Sequence, residues 1–327
     1  MIRTIIMKKK TKNKKNPRIS VLFQMDSFEN LDFDTDTTLN LIQEALKINA
    51  DVWVGYPKKL TYSDGKASIT AKKIVNSDLS FGKPKNLKID EFDFYFIRQD
   101  PPFNMSYLTN CYLLELHKSF NKKPFFVNDP SGIKNFTEKI FPLYFSEHMP
   151  KSLVTEDEMI FLKMLRKHKY LVIKTLYNKG GEGVVKVSDE NEKKAIKEFN
   201  NIKKRYSVPV VVQEFLDEVV YGDKRVILID GKAAGVINRI PKKGEFKANL
   251  HLGGEAKKTI LIKNEKKICM AIKKTLKREN LFFVGIDIIN EKLTEINVTS
   301  PTGIVQIQEH SGINIAKHLW TKLLKIK

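Results

Sequence analysis

Blocks of apolar and polar residues near the start of the chain predict a strand, a helix and a second strand. RISVLFQMD (18–26) is a short, mostly apolar run typical of a buried strand. LNLIQEALKI follows with Leu39, Ile42 and Leu46 at helical spacing, and ADVWVGY (50–56) is apolar again. This β–α–β order predicts a parallel, Rossmann-like layer. Because GxGxxG is missing, the pattern does not support dinucleotide binding.

The remainder of the first half continues this layer. An Asp-Gly pair within residues 63–66 predicts a tight turn between KLTY and KASITAK. EFDFYFIRQDPPF (91–103) alternates like a strand and stops at two prolines, a helix is expected over roughly 105–119, and KPFFVN is the next strand. PSGIKNFTEKIF, which starts at residue 130, predicts a helix that begins with proline.

From about residue 130 the pattern changes to apolar strands in antiparallel pairs. The predicted pairs are YLVIK with GVVKVS, VPVVVQEF with KRVILIDG, and LFFVGIDII with KLTEINV, and AAGVINRI is a further strand. A closing helix is expected over roughly 312–325. The predicted fold class is therefore mixed α/β (α+β). The two halves are expected to pack directly, since no Pro-rich linker separates them.

Composition narrows the class of protein. A length of 327 residues suggests two or three domains, and 42% apolar residues can bury sizeable cores. No stretch approaches 18 consecutive apolar residues, which excludes a membrane span, and two distant cysteines exclude a disulfide scaffold and CxxC zinc sites. The N-terminal apolar run precedes the lysines, the reverse of a signal peptide, so a cytoplasmic location is expected.

The formal charge of +20 favours anionic partners. Residues 1–17 are rich in lysine and predict a disordered basic tail. The chain holds 50 lysines but only 8 arginines, which argues against a dedicated nucleic-acid partner and for small anionic substrates. Because lysine is the usual cation here, Arg98, Arg225 and Arg239 mark places where a planar guanidinium is needed.

FVGIDIINEKLTEINVTSPTG (283–303) carries the densest group of candidate ligands. Glu295 and Asn297 share one face of a strand, because side chains alternate. If residues 290–292 form a three-residue turn, Asp287 lies across from Glu295, and two facing carboxylates repel unless a cation lies between them. Two carboxylates with an amide oxygen suit Mg²⁺ that substrate phosphates also hold. The alternative is a solvated hairpin face with incidental acids, but the flanking apolar residues favour burial.

LVIKTLYNKGGEGVVKV (171–187) joins two strands through a glycine-rich loop. It lacks the GK[ST] ending of a P-loop. Backbone N–H groups of such a loop can close over phosphates, and Lys174 at the strand end would reach them as a point charge. The alternative is an ordinary turn, which Gly-Gly more often forms.

VVVQEFLDEVVYGDKRVILIDG (210–231) offers a nucleotide-binding edge. The segment at residues 213–216 leaves an apolar strand and can pair its backbone with an adenine ring, while Asp223 can accept a hydrogen bond from a ribose hydroxyl. An ordinary hairpin explains this segment equally well. Neither HExxH nor GxSxG occurs, so the chemistry indicated is phosphoryl transfer followed by ligation, without a covalent nucleophile.

Taken together these residues resemble the bacterial glutathione synthetase family of the ATP-grasp ligases. The resemblance is carried by LTEINVTSPT (293–302), by IRQDPPF (97–103), which is similar to that family's RxDPPF segment, and by shorter matches, and it covers about 19–322. It implies a basic tail at 1–17, an N-terminal glutathione-synthetase domain at 18–136 and an ATP-grasp domain of two α+β subdomains at 137–322. It also implies ligation of γ-glutamylcysteine and glycine to glutathione through an acyl phosphate, with Mg²⁺ or Mn²⁺ and ATP.

The resemblance implies a role for each matching residue. For ATP these are the lysines Lys139 and Lys174, the loop residues Gly180, Gly181, Glu182 and Gly183, the adenine-side residues Gln213, Glu214, Phe215 and Leu216, and Asp223 for the ribose. Metal ligands would be Asp287, Glu295 and Asn297. Catalytic residues would be Arg239, Arg225 and Lys247, and substrate would meet Arg98, Asp100, Arg225, Asn249, Thr299 and Ser300.

Two departures from the family and several alternatives remain. Lys247 stands where the family's mobile loop commonly has Arg, which keeps the charge but loses the bidentate fork, and IVQIQ follows PTG where many relatives have an IREI-like run. Other ATP-grasp ligases, of the ribosomal-protein glutamate ligase or D-Ala–D-Ala ligase type, are the next interpretation, although RQDPPF argues against both. A basic nucleic-acid-binding protein is a more distant one. A homotetramer is expected by family resemblance.

Overall fold

The computed structural model describes residues 18–76 and 78–326, so the predicted basic tail at 1–17 lies outside the described residues. In chain order the first half contains β1 (Ser20–Met25), α1 (Thr37–Lys47), β2 (Asp51–Ser63), β3 (Lys66–Lys73), β4 (Lys85–Lys88), β5 (Phe94–Arg98), α2 (Met105–Phe120), β6 (Phe125–Val127) and α3 (Pro130–Asn135). These strands form one sheet in the order β4-β3-β2-β1-β5-β6.

The predicted parallel start is confirmed. β1 pairs in parallel with β2 and β5, and α1 connects β1 to β2. β2 is longer than expected, because the pairing of β2 with β3 shifts between Gly55 and Leu60 and this irregularity accommodates Pro57. β5 ends at Arg98, earlier than predicted, since the following prolines cannot donate to a sheet. The Asp-Gly turn closes the β2–β3 hairpin as expected.

The second half builds two further sheets. Its elements are β7 (Ser152–Thr155), α4 (Glu158–His168), β8 (Tyr170–Thr175), β9 (Val184–Ser188), α5 (Glu192–Tyr206), β10 (Val210–Glu214), β11 (Asp223–Ile229), β12 (Lys232–Ile240), β13 (Glu255–Lys258), α6 (Lys263–Arg278), β14 (Phe283–Ile289), β15 (Lys292–Asn297), α7 (Ile304–Ser311) and α8 (Ile315–Leu323). The strand orders are β7-β10-β8-β9 and β13-β12-β11-β14-β15.

One predicted strand pair is wrong. VPVVVQEF and KRVILIDG do not pair, because β10 lies between β7 and β8 while β11 lies between β12 and β14 in the other sheet. The connection, predicted as a loop, contains a 3-10 helix, Asp217–Tyr221, and it carries the chain from one sheet to the next. The predicted pairs β8–β9 and β14–β15 are confirmed.

The helices of this half were mostly missed. α4, α5 and α6 lie in sequence rich in charge, where a narrow apolar stripe such as Ala195, Phe199 and Ile202 on α5 is easily overlooked. The helix predicted from residue 130 ends already at Asn135, and 3-10 structure follows at Phe141–His148. The closing helix is α8, and α7 precedes it as a separate helix that ends at Gly312 in the left-handed region.

The C-terminal end of the chain returns to the first layer. The Trp320 indole on α8 donates to the carbonyl of Leu41 at 2.9 Å, and its ring lies against Phe96 with centroids 5.3 Å apart. Within residues 18–76 and 78–326, no helix has the length and apolar character that crossing a bilayer requires.

Asn128, directly after β6, joins the first sheet to the five-stranded sheet. Its side-chain amide donates to the carbonyl oxygens of Phe283 at 2.8 Å and Val298 at 2.7 Å, and its oxygen accepts from the N–H of Phe283 at 2.7 Å. The side chain is buried. These three hydrogen bonds, all made by one side chain, therefore fix the position of the first sheet relative to the five-stranded sheet.

We expect Asn128→Ala to lower the free energy of unfolding by roughly 2–4 kcal/mol, because it leaves a buried N–H and two carbonyl groups unpaired. Urea unfolding followed by fluorescence measures this. Asn135→Ala is the matched control, since Asn135 is exposed on α3 and should change stability by less than about 0.5 kcal/mol. Equal stability of the two variants would contradict the joining role.

Candidate active site

A cavity of about 630 Å³ lies between the four-stranded and five-stranded sheets, and the first layer closes one side of it. Most of the predicted site residues line it: Asp100, Lys139, Lys174, Gly180, Gly181, Glu182, Gln213, Glu214, Phe215, Leu216, Asp223, Arg225, Arg239, Lys247, Asn249, Asp287, Glu295, Asn297 and Ser300. Arg98, Gly183 and Thr299 do not line it. The chain thus brings together residues that are far apart in sequence.

Asp287 on β14 lies directly across from Glu295 on β15, as predicted. The predicted three-residue turn is wrong, because Ile289 pairs with Lys292 and the turn contains only Asn290 and Glu291, both with positive φ. A bulge between Asp287 and Ile288 restores the register. The shorter turn and the bulge therefore compensate for each other, so that Asp287 still lies opposite Glu295.

Two arginines hold Asp287 in place. Arg225 on β11 donates to both of its oxygens, from Nε at 2.5 Å and from Nη2 at 2.9 Å, and Arg239 Nη2 lies 3.0 Å from Oδ1. All three side chains are buried. Burial opposes ionisation of this carboxyl, but the two guanidinium groups outweigh it and hold the pKa of Asp287 well below its ordinary value. The carboxylate is therefore charged and oriented before any ligand arrives.

The donor set fits a hard divalent cation. Glu295 faces Asp287 across the hairpin, and the amide nitrogen of Asn297 lies 3.4 Å from Asp287 Oδ2. Among residues 18–76 and 78–326 no group of three or more His, Cys, Asp or Glu residues is suited to a metal. Two carboxylates with one amide leave coordination positions for other oxygen ligands, as expected where substrate phosphates share the cation.

Asp223, at the start of β11, has one oxygen available to a ligand. Its Oδ2 lies 2.6 Å from Arg239 Nη2, while its Oδ1 is buried and has no hydrogen-bond partner among the described residues. Burial raises the pKa of Asp223, although Arg239 opposes this. A buried acceptor without a partner is costly, so a hydroxyl group that enters the cavity would satisfy it.

Lys139 and Lys174 also line the cavity and supply positive charge near the hairpin acids. Lys139 Nζ donates to the carbonyl of Asn178 at 2.6 Å and lies 4.0 Å from Glu295 Oε1. Burial lowers the pKa of Lys174, which Glu295 partly opposes. Both lysines are thus placed where an anionic group would stabilise them.

The glycine loop (176–183) follows β8 and bends over the cavity. Gly180, Gly181 and Gly183 all have positive φ, which other residues adopt only with strain. Gly183 does not line the cavity, but a Cβ atom there would lie 2.3 Å from Thr175 Cγ2. Its role is therefore to permit the turn of the backbone, not to contact the ligand.

Two other segments hold the glycine loop. Lys179 forms an ion pair with Asp100 of the first layer, and the N–H of Phe103 donates to the carbonyl of Tyr177 at 2.8 Å. Lys247 Nζ, from the covering loop (241–254) between β12 and β13, donates to the carbonyl of Gly181 at 2.9 Å. Asp100, predicted to contact substrate, and Lys247, predicted to act in catalysis, thus both contact the glycine loop in this structure. Lys179 was missed because nothing in its local sequence indicates a partner 79 residues away.

The segment at residues 213–216 lines an apolar end of the cavity, together with Val172, Val184 and Ile289. The ring of Phe215 meets Phe246 of the covering loop edge-on, with centroids 5.8 Å apart. This flat, apolar space beside a strand end suits an aromatic base. Phe246 was also missed, because a single aromatic residue in a loop carries no periodic signal.

Arg98 and Thr299 lie behind the cavity wall. Arg98 is buried, its Nε donates to Thr38 Oγ1 at 3.0 Å, and its Nη1 has no partner among the described residues. The Thr299 hydroxyl donates to Glu138 Oε1 at 2.5 Å. Glu138 does line the cavity, and burial raises its pKa although Lys139 opposes this. Sequence reasoning assigned a role to Lys139 and none to the glutamate beside it.

Solved ATP-grasp ligases share this fold. D-cycloserine synthetase DcsG matches with a TM-score of 0.66 at 12% identity, over 93% of this chain and 99% of that one. The ATP-grasp ligase PsnB, complexed with a phosphomimetic variant of its minimal precursor, Mg and ADP, matches with a TM-score of 0.63 at 15% identity, over 95% and 99%. The chain therefore has the fold of the ATP-grasp class, with the cavity described above between its sheets.

The particular family follows from sequence comparison. The family model for the N-terminal domain of prokaryotic glutathione synthetase matches residues 19–134, and that for its ATP-grasp domain matches residues 138–312. The glutathione synthetase of Brucella melitensis is 36% identical over 92% of this chain and 97% of that protein, and the one from Prochlorococcus marinus subsp. pastoris is 36% identical over 93% and 99%. The chain belongs to the prokaryotic glutathione synthetase family, which confirms the resemblance.

We expect Gly183→Ala to raise the KM for ATP at least about tenfold, because the added methyl group meets Thr175 and displaces the glycine loop. Gly65→Ala is the matched control: its φ is also positive, but nothing lies within 4 Å of its Cβ position. The control should lose only about 1–2 kcal/mol of stability and keep its KM. Steady-state kinetics at varied ATP concentration measures the KM of both variants. An unchanged KM for ATP in Gly183→Ala would refute the prediction.

Proposed function

We propose that this protein joins γ-glutamylcysteine to glycine, driven by transfer of the γ-phosphoryl group of ATP, and that it releases glutathione, ADP and phosphate. The observation that carries the proposal is the hairpin on which Asp287 faces Glu295. Arg225 and Arg239 neutralise the charge of Asp287, and all four residues line one cavity. Family membership supports the choice of substrates.

ATP would lie along the cavity between the two sheets. Its adenine would occupy the apolar end beside residues 213–216, and a ribose hydroxyl would donate to the free Oδ1 of Asp223. The phosphates would then extend toward Lys139 and Lys174 beneath the glycine loop. In this orientation the ribose would supply the missing hydrogen bond to Asp223, and the phosphates would supply negative charge next to both lysines.

The first chemical step would transfer the γ-phosphoryl group to the cysteinyl carboxylate of the donor and form an acyl phosphate. A magnesium ion held by Asp287, Glu295 and Asn297 would, when bound, neutralise phosphate charge. Arg239 lies beside Asp223 and Asp287, where its guanidinium would stabilise charge that grows on the transferred phosphoryl. The acceptor amine would then attack the acyl carbon, and phosphate would leave.

Water must be kept from the acyl phosphate until the amine reacts. The glycine loop and the covering loop support this role, because Lys247 links them and Phe246 reaches the adenine end. Substrate contacts would come from Arg225, Asn249 and Ser300 on the cavity wall, with Arg98 and Thr299 acting from behind it.

The wider assignments are proposals as well. We propose a cytoplasmic enzyme, a homotetramer by family resemblance, and a division of the chain into an N-terminal domain at 18–136 and an ATP-grasp domain at 137–322. Small molecules are its partners, and no dedicated nucleic-acid partner is proposed.

We expect ADP release to require γ-glutamylcysteine, glycine and Mg²⁺ together, since the hairpin carboxylates and the phosphates share one cation. A coupled ADP assay with each component omitted in turn measures this, and excess EDTA serves as the metal-free control. Turnover that persists in EDTA would remove the metal assignment. A strong preference for another acceptor amine would remove glycine from the proposal.

We expect Arg239→Lys to lower kcat by about 10²-fold with a smaller change in the KM for ATP. Charge is kept, but the planar guanidinium is lost, whose Nη2 contacts both Asp223 and Asp287 while its Nε donates to the Asp223 carbonyl. Arg166→Lys is the control, since Arg166 uses two guanidinium nitrogens to contact Glu192 on the surface of α4. The control should keep wild-type kinetics. A kcat close to wild type for Arg239→Lys would mean that another arginine stabilises the charge on the transferred phosphoryl group.

A further inference from the structure

Glu138 is the feature of the cavity that the proposed reaction leaves without a role. Its side chain lines the cavity and is only 8% exposed. None of the ion pairs among residues 18–76 and 78–326 includes it, and its hydrogen bond is the one from Thr299. Lys139 acts on Glu138 only from beyond ion-pair distance, so the burial of this carboxylate remains unfavourable, and a positively charged group of a ligand would offset that cost.

The neighbouring carboxylates already have cationic partners. Asp287 is held by two arginines, Asp223 by Arg239, and Asp100 by Lys179. Glu295, the remaining acid of the hairpin, has Lys139 at 4.0 Å. Glu138 differs from them because, among the described residues, no cation lies within ion-pair distance of it, and this leaves its carboxylate able to receive one from a ligand.

The position of Glu138 places it beside the reacting groups. The N–H of Ile296 on β15 donates to the Glu138 carbonyl at 3.1 Å, so the backbone at Glu138 contacts the strand that carries Glu295 and Asn297. A group bound by the Glu138 carboxylate would thus lie next to the site of phosphoryl transfer. The acceptor amine must reach that same place to attack the acyl carbon.

We propose that Glu138 binds the ammonium group of the acceptor amino acid and so orients its nitrogen toward the acyl phosphate. The ammonium gives one proton to the Glu138 carboxylate, which frees the nitrogen lone pair to attack the acyl carbon, and the second proton leaves with the phosphate as the C–N bond forms. This inference rests on the proposed function. Thr299 is a positioning residue in this arrangement, because its hydroxyl fixes one oxygen of the carboxylate and leaves the other for the ammonium. Glu138 is then a specificity-determining residue that selects a charged amino acid over a neutral amine.

The ammonium group of the donor is the competing ligand. In γ-glutamylcysteine that group lies beyond the whole γ-glutamyl chain from the carboxylate that is phosphorylated. It would therefore reach a distant part of the cavity, such as the first-layer wall where Asp32 and Asp36 lie. The geometry assigns Glu138 to the acceptor for this reason.

Glu138→Gln tests the proposal, since glutamine keeps the shape and can still accept from Thr299 but carries no charge. We expect the KM for glycine to rise about tenfold or more, while the KM values for ATP and γ-glutamylcysteine change less than about threefold. Hydroxylamine, which is largely uncharged at neutral pH, is the second acceptor. Its reaction with the acyl phosphate should stay within about threefold of wild type, because it needs no ammonium site.

Wild-type ADP release with donor and glycine tests the proposed function separately, so its failure is distinguishable from a failure of Glu138. Equal losses with glycine and hydroxylamine in the variant would overturn the proposal, as would a rise in KM confined to the donor. Thr299→Val provides a second test should Glu138→Gln fold poorly. It should raise the KM for glycine with little effect on hydroxylamine, and Thr299→Ser should restore it; wild-type KM for glycine in Thr299→Val would also count against the proposal.

Discussion

The site depends on one buried carboxylate, Asp287, held between two arginines. Arg225 and Arg239 come from neighbouring strands, and without them a charged Asp287 facing Glu295 would be strongly unfavourable in the interior. The pair of guanidinium groups keeps Asp287 ionised and fixes its direction. The five-stranded sheet therefore carries a buried charge cluster, and the groups proposed to bind ligands lie around it in the cavity.

The other walls of the cavity come from segments that meet only through tertiary contacts. The glycine loop is tied to the first layer by Lys179 and Asp100 and to the covering loop by Lys247. Asn128 holds the first layer against the five-stranded sheet. A ligand in the cavity would contact all of these elements, so ligand binding and closure of the loops are expected to be coupled.

Sequence reasoning predicted residues that line one cavity better than it predicted the elements around them. The facing of Asp287 and Glu295 was predicted from alternation, although the turn was assigned three residues and the compensating bulge was not foreseen. The pairing of residues 208–215 with 224–231 was wrong, because a 3-10 helix separates them and moves the chain to another sheet. Hydrophobic pattern describes which face of a strand is buried, not which strand lies beside it.

The sequence by itself determined the family, the β–α–β start, and the residue types that carry charge and oxygen ligands, because these depend on local pattern and on motifs read along the chain. Only the tertiary structure decided which charges meet. It paired Asp100 with Lys179, set Arg98 and Thr299 behind the wall, and left Glu138 facing the cavity with no cation of the described residues within ion-pair distance. Such contacts join residues far apart in sequence, and they are set by how the sheets pack rather than by any spacing along the chain.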